Sequence, residues 1–117
     1  MVKVIILLAR RDAMGREDFT RHTRDQHLPL VAKLPGLRRL VVNHVLPDPN
    51  GPPPVYDAVA EDWFDDLGAM GAAFASPEGQ AVLADAPNFL DMTRLQVLAV
   101  EEEDVPLPTG TAAGPVG

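Results

Sequence analysis

The chain of 117 residues contains no cysteine, and this absence removes several classes of site. Without thiols there is no disulfide framework, no thiolate nucleophile and no cysteine-based zinc site. The three histidines do not cluster, so the sequence predicts no metal site. A glycine-rich phosphate loop is also lacking, which argues against a nucleotide cofactor. The sole serine, Ser76, precedes a proline and fits a helix N-cap better than a nucleophile. We therefore expect chemistry without a cofactor.

Positive charge and long apolar runs are scarce as well. Ten Lys and Arg stand against 17 Asp and Glu, giving a net charge of −7. Nucleic-acid binding needs a basic stripe, which this balance does not supply. No apolar run approaches the roughly 18–20 residues of a membrane span, and the apolar start lacks a small-residue cleavage site. The sequence thus predicts a cytoplasmic protein without nucleic-acid or membrane partners.

Aromatic residues make up only 5% of the chain, whereas hydrophobic residues make up 46%. This is a large aliphatic surface for a chain whose length allows one domain. We assign that domain to residues 1–104. The remaining residues, 105–117, are rich in proline and glycine without periodicity and are interpreted as a flexible tail.

Hydrophobic periodicity predicts six elements in the order β-α-β-β-α-β. The strands are expected at 2–9, 37–46, 55–64 and 93–100, and the helices at 16–34 and at 65–75 with a restart at Ser76. This order is typical of the ferredoxin-like α+β fold, a four-stranded antiparallel sheet with both helices on one face. Pro29 cannot donate a backbone hydrogen bond, so the first helix should bend or restart from Leu28.

Several predicted strands are apolar on both faces. The helices of this fold cover one face of the sheet, and a large apolar patch on the other would be unusual in a monomer. The pattern therefore predicts a homodimer that packs sheet face against sheet face.

Three segments carry motifs of a known family. They are residues 16–37 with Gln26-His27-Leu28-Pro29-Leu30 and Leu34-Pro35-Gly36-Leu37, residues 56–65 with Ala60-Glu61-Asp62-Trp63-Phe64, and residues 76–89 with Ser76-Pro77-Glu78-Gly79, Asp85 and Phe89. In these motifs the chain resembles the EthD family of dimeric α+β barrel proteins. That family is similar in fold to methylmuconolactone isomerases, cofactor-free quinone-forming monooxygenases and aromatic polyketide cyclases.

The resemblance implies a pocket between helices and sheet or inside the barrel, and a small organic substrate. The expected function is a cofactor-independent enzyme that acts on a hydrophobic cyclic or aromatic metabolite by proton transfer. Isomerase, cyclase, and decarboxylase or dehydratase reactions all remain open, in polyketide tailoring or aromatic degradation. A small-molecule-binding dimer without catalysis and a cofactor-free monooxygenase are alternatives.

Two histidines are candidate catalytic residues. His27 lies on the inward arc of the first helix, and an imidazole exchanges protons near neutral pH. Alternatively, its ring nitrogens could bond carbonyls freed around Pro29. His44 shares a strand face with Leu40 and could point into a cavity or serve only as a structural residue. His22 lies near the margin of the helix beside Arg21 and should be exposed. It is five residues from His27, and the two diverge by roughly 140° on a regular helix, so they do not form a metal site.

Asp57 is the third catalytic candidate, since a partly buried carboxylate could orient a histidine or act as the base. Alternatively, Asp57 is a solvent-exposed carboxylate on an edge strand. Trp63 could stack on an aromatic substrate or pack a dimer interface, and Asn43 could hold a substrate oxygen. Thr23 and Leu40 complete the predicted binding residues. They stand where members of the family tend to carry Trp and Tyr, which suggests a roomier pocket or one lacking a phenol donor.

Overall fold

The sheet has four strands in the spatial order β2-β3-β1-β4, and all neighbours are antiparallel. A computed structural model describes residues 1–109. The strands are β1 (Val2–Leu8), β2 (Arg39–His44), β3 (Ala58–Phe64) and β4 (Gln96–Val100). The predicted ferredoxin-like α+β fold is confirmed, although three strands begin later than expected. Of the predicted tail, residues 105–108 form no helix or strand, residue 109 lies in a turn and residues 110–117 lie outside the described part.

The helices lie against one face of this sheet. They are α1 (Arg16–His22), a π-helical turn (Thr23–His27), α2 (Leu28–Val31), α3 (Leu67–Ala75), α4 (Pro77–Asp85) and a 3-10 turn (Ala86–Asn88). Their buried side chains pack on the even-numbered residues of β1 and β3. Phe19 and Phe89 meet Leu8 and Ala58 in one cluster, and a second joins Val4, Val31, Leu34, Phe64, Ala73 and Val82.

The first helix changes its hydrogen-bonding pattern before Pro29. The N–H of Leu28 donates to the carbonyl of Thr23, five residues back, where an α-helix bonds four residues back. Pro29 has no N–H to continue the ladder. The predicted restart at Leu28 is confirmed, and the π-helical turn that precedes it was not foreseen.

The last two helices are fixed by side-chain caps at their N-termini. Asp66 accepts from the N–H of Ala69 at 2.8 Å, and Ser76 accepts from the N–H of Gly79 at 3.0 Å. The predicted capping role of Ser76 is confirmed, with Pro77 as the first residue of α4. Within residues 1–109, no helix is both long enough and apolar enough to cross a membrane.

The opposite face of the sheet carries an apolar surface that no helix of residues 1–109 covers. Its side chains are odd-numbered in β1, β2 and β3 and even-numbered in β4, and they range from half-buried to exposed: Ile5, Leu7, Val41, Val59 and Leu98. The register places Ile5 beside Leu98 and Leu7 beside Val59, so these side chains are neighbours across three strands. We refer to this set as the outer face.

Candidate active site

An apolar cavity of about 230 Å³ lies between the helices and the sheet. Its floor comes from even-numbered strand residues such as Ile6 and Leu40, and its roof from the first helix and α4. Leu83 of α4 and Val97 of β4 also line it and are 51% and 59% exposed, which places its mouth between these two elements. Thr23, His27 and Asp62 supply the polar side chains of the lining.

Two histidines share one carboxylate at the edge of this cavity. His27 Nδ1 lies 2.9 Å from Asp85 Oδ2, and His22 Nε2 lies 2.9 Å from the same oxygen and 3.1 Å from Oδ1. Asn88 adds a donor, its Nδ2 lying 3.1 Å from Asp85 Oδ1. The carboxylate at the end of α4 therefore fixes both rings on the first helix.

The π-helical turn explains how both rings reach Asp85. The expected angle of roughly 140° between His22 and His27 assumed a regular α-helix. A turn that closes bonds between residues five apart brings residues at that spacing to the same side. The expectation that His22 is exposed is therefore wrong: it is partly buried, and its ring stacks on Phe89 with centroids 4.6 Å apart.

The bond to Asp85 fixes the tautomer of His27. An ionised carboxylate only accepts hydrogen bonds, so Nδ1 must carry the proton. Nε2 of neutral His27 is then an unprotonated acceptor, and no donor within residues 1–109 is bonded to it. The alternative in which His27 bonds backbone carbonyls near Pro29 is not observed.

The pKa of His27 lies below its usual value of 6.5, chiefly because burial penalises the imidazolium. The hydrogen bond and charge of Asp85 raise the pKa and offset part of this effect, while His22 lowers it. For Asp85, burial raises the pKa, but hydrogen bonds from Asn88, His22 and His27 outweigh it, and the net pKa is lowered. At neutral pH the imidazole of His27 is thus neutral and the carboxylate of Asp85 is ionised.

Asp62 is the second carboxyl group of the cavity. It lies in β3, in register with Leu40 of β2 and Val4 of β1, and it is 1% exposed. Its Oδ1 is buried without a hydrogen-bond partner in the part of the chain that the structure describes. Burial raises the pKa of Asp62 to about 6.

The structure separates the predicted site residues into two groups. His27, Thr23 and Leu40 line the cavity. The Thr23 hydroxyl donates to the carbonyl of Phe19 at 2.7 Å, so it is already engaged within the helix. His44 does not line the cavity: it is the last residue of β2 and its side chain is exposed.

The other predicted residues also lie away from the cavity. Asp57 precedes β3 and accepts a hydrogen bond from the backbone N–H of Arg10 at 3.0 Å, with Arg16 nearby, so it does not orient a histidine. Asn43 and Trp63 lie on the side of the sheet opposite the cavity, the side that carries the outer face. Asn43 donates to Glu61 at 3.1 Å, and Trp63 donates to Glu102 while Arg39 stacks on its ring.

Sequence reasoning missed Asp62 and Asp85 as site residues. For Asp62 a signal existed, because period-two alternation places it on the same face as Ala60 and Phe64. Asp85 stands in the family motif of residues 76–89, but 58 residues separate it from His27 along the chain, and nothing in the sequence paired the two. Within the described residues, no group of three or more His, Cys, Asp or Glu side chains is arranged to hold a metal ion.

Comparison with known proteins identifies relatives of this chain. Residues 11–93 match the family model described as the EthD domain. The chain is 36% identical over 87 residues to an uncharacterized 11.0 kDa protein of the thcB-thcC intergenic region of Rhodococcus erythropolis, covering 74% of this chain and 82% of that protein.

Solved structures show the same architecture. An EthD family protein from Bacillus halodurans is 30% identical, with a TM-score of 0.76 over 88% of this chain and 99% of that one. SnoaB, a cofactor-independent oxygenase from Streptomyces nogalater, is 13% identical, with a TM-score of 0.62 over 89% of this chain and 94% of that one. At that identity the likeness to SnoaB concerns the fold alone.

Proposed function

Because the chain belongs to the EthD family, we propose that it is a cofactor-independent enzyme that moves a proton on a small hydrophobic cyclic or aromatic metabolite. The observation that carries the proposal is the state of His27, which lines the apolar cavity with its Nδ1–H bonded to Asp85 and its Nε2 unprotonated. A neutral imidazole oriented by a carboxylate can act as a general base near neutral pH.

In the proposed reaction, Nε2 of His27 takes a proton from a carbon next to a carbonyl group of the substrate. The C–H bond breaks, an N–H bond forms, and the electron pair moves toward the carbonyl oxygen as an enolate. Asp85 stabilises the imidazolium that results. Return of the proton to another carbon gives an isomer. Alternatively, attack of the enolate carbon on a second carbonyl group closes a ring, and the alkoxide that results takes the proton back from His27.

The cavity suits an apolar substrate of one or two rings. A cavity of about 150 Å³ holds benzene, so about 230 Å³ leaves room for a larger but still small molecule. The lining is almost entirely aliphatic, which favours a neutral ring system over a charged metabolite.

We further propose that the working form is a homodimer. The outer face exposes neighbouring aliphatic side chains from all four strands, and a second copy packed against it would remove them from water. Trp63 lies on the same side of the sheet, consistent with a place at the edge of this interface and away from the substrate.

The proposal is tested by deuterium exchange. Proton abstraction predicts that the protein accelerates exchange of the acidic C–H protons of a bicyclic ketone such as β-tetralone in D₂O, followed by proton NMR. His27→Gln should slow the enzymatic exchange by about 100-fold or more while the melting temperature stays near that of the wild type. His44→Gln is the matched control, since His44 is exposed outside the cavity, and it should exchange like the wild type.

Two results would contradict the proposal. One is a wild-type rate no faster than buffer for a panel of such ketones and lactones, with NMR shifts that show binding. That outcome identifies the chain as a binding protein without catalysis. The other is unchanged exchange in His27→Gln, which would remove His27 from the reaction.

A further inference from the structure

The Asp62 Oδ1 oxygen has no hydrogen-bond partner among residues 1–109. Asp62 is 1% exposed and lines the cavity. Buried polar groups in native proteins are almost always paired, because an unpaired one costs the full loss of its hydration. A carboxyl group kept in this state at the centre of a sheet points to a partner that the chain itself does not supply.

No charged side chain of the sheet can serve as that partner. Lys3 and Arg39 lie on the side of the sheet that carries the outer face. There Lys3 pairs with Glu61 at 3.0 Å, and the guanidinium of Arg39 lies over the ring of Trp63. On the cavity side, the neighbours of Asp62 in register are the aliphatic Val4 and Leu40. The other titratable side chain of the cavity lining is His27, whose Nδ1–H is already donated to Asp85.

We infer that Asp62 receives a hydroxyl group of the ligand, so that the cavity selects apolar ring molecules that carry a phenol or enol hydroxyl. An O–H donor that bonds a carboxylate satisfies the unpaired oxygen and forms a short, charge-assisted bond in an apolar surrounding. A ligand carboxylate would meet repulsion at the same position, and a pure hydrocarbon would leave the oxygen unpaired.

This inference deepens the proposed function by naming the substrate class for the same cavity. A hydroxyl bound at Asp62 anchors one end of the molecule on the sheet. The ring system then fills the aliphatic space below the first helix, where His27 is the available base. Asp62 thereby fixes which part of the substrate faces His27.

The experiment compares three probes of similar shape: β-naphthol, its methyl ether and naphthalene. Dissociation constants are measured by fluorescence or by NMR titration at about pH 8, where the carboxyl group is ionised. The wild type should bind β-naphthol about tenfold or more tightly than the methyl ether, because the ether accepts but cannot donate a hydrogen bond. Naphthalene should resemble the ether.

Variants of Asp62 test the assignment. Asp62→Leu should abolish the preference, with the ratio of the two dissociation constants near one. Asp62→Asn keeps a carbonyl acceptor and should retain part of the preference. Asp57→Asn, which alters a buried carboxyl group outside the cavity, should keep the wild-type ratio.

Three results would overturn the inference. They are equal binding of the three probes by the wild type, no binding of any of them, and an unchanged ratio of dissociation constants in Asp62→Leu. These outcomes are distinct from failure of the proposed catalysis. Hydroxyl selectivity that depends on Asp62, without deuterium exchange that depends on His27, would refute the proton-transfer proposal and support this inference.

Discussion

Replacement of Asp62 by asparagine should stabilise the protein at neutral pH. Burial raises the pKa of this carboxyl group from 3.8 to about 6, because the ionised form loses its hydration without gaining a partner. A difference of about two pH units corresponds to about 3 kcal/mol of unfolding free energy, at about 1.4 kcal/mol per unit. Asparagine has nearly the same shape and no charge, so it removes this cost.

The sign of the pH dependence follows from proton linkage. Between about pH 4 and pH 6 the folded protein holds a proton on Asp62 that the unfolded chain releases. The stabilising effect of that protonated group is complete below about pH 4 and is lost as the pH rises through about 6. Asp62→Asn should therefore gain stability over the wild type through this interval, up to about 3 kcal/mol.

Urea titrations between about pH 4 and pH 8, with both proteins at the same protein concentration, measure this difference in unfolding free energy. The depressed pKa of His27 also makes stability depend on pH, with the opposite sign, but it contributes equally to both proteins and cancels. Asp62→Leu serves as a second variant without a polar atom. A difference that stays constant with pH, or one in which the wild type gains on the variant as the pH rises, would refute the reasoning.

Two further predictions concern the histidine pair and the outer face. Asp85→Asn removes the charge that raises the pKa of His27 and leaves only a neutral acceptor, so the pKa should fall further below 6.5 in an NMR titration of the ring protons. An unchanged or higher pKa would contradict the pairing. Val59→Lys places a charge in the outer face and should convert the dimer into monomers, as measured by light scattering. Val55→Lys, in the exposed loop, is the control and should leave the dimer intact. A monomeric wild type would contradict the proposed dimer.

The sequence contains enough information to predict the fold. Alternation in β1 and β3 indicates strands, Pro29 marks the restart of the first helix, and Ser76-Pro77 marks the start of α4. Boundaries were less predictable. Asp57 was expected within a strand, but β3 begins only at Ala58, although the N–H of Asp57 donates to the carbonyl of Leu8 at 2.8 Å.

The site was less predictable than the fold. His27 was identified from its helical face, and Asp57 was a candidate either to orient a histidine or to act as the base. The actual partner, Asp85, is brought close by the packing of α4, a contact between distant parts of the chain. The position of His22 depends on one carbonyl of the first helix bonding five residues ahead, and residue periodicity assumes that this does not happen.

Asp85 is the last residue of α4, and this position affects the charge that the site favours. The C-terminus of a helix carries a partial negative charge that stabilises nearby cations and disfavours anions by about 0.3–1 kcal/mol. The helix end and the carboxylate therefore act in the same direction on a proton that arrives at His27. Burial keeps the His27 ring neutral. In the proposed reaction, the field of α4 would lower the cost of the imidazolium that forms when His27 takes a proton.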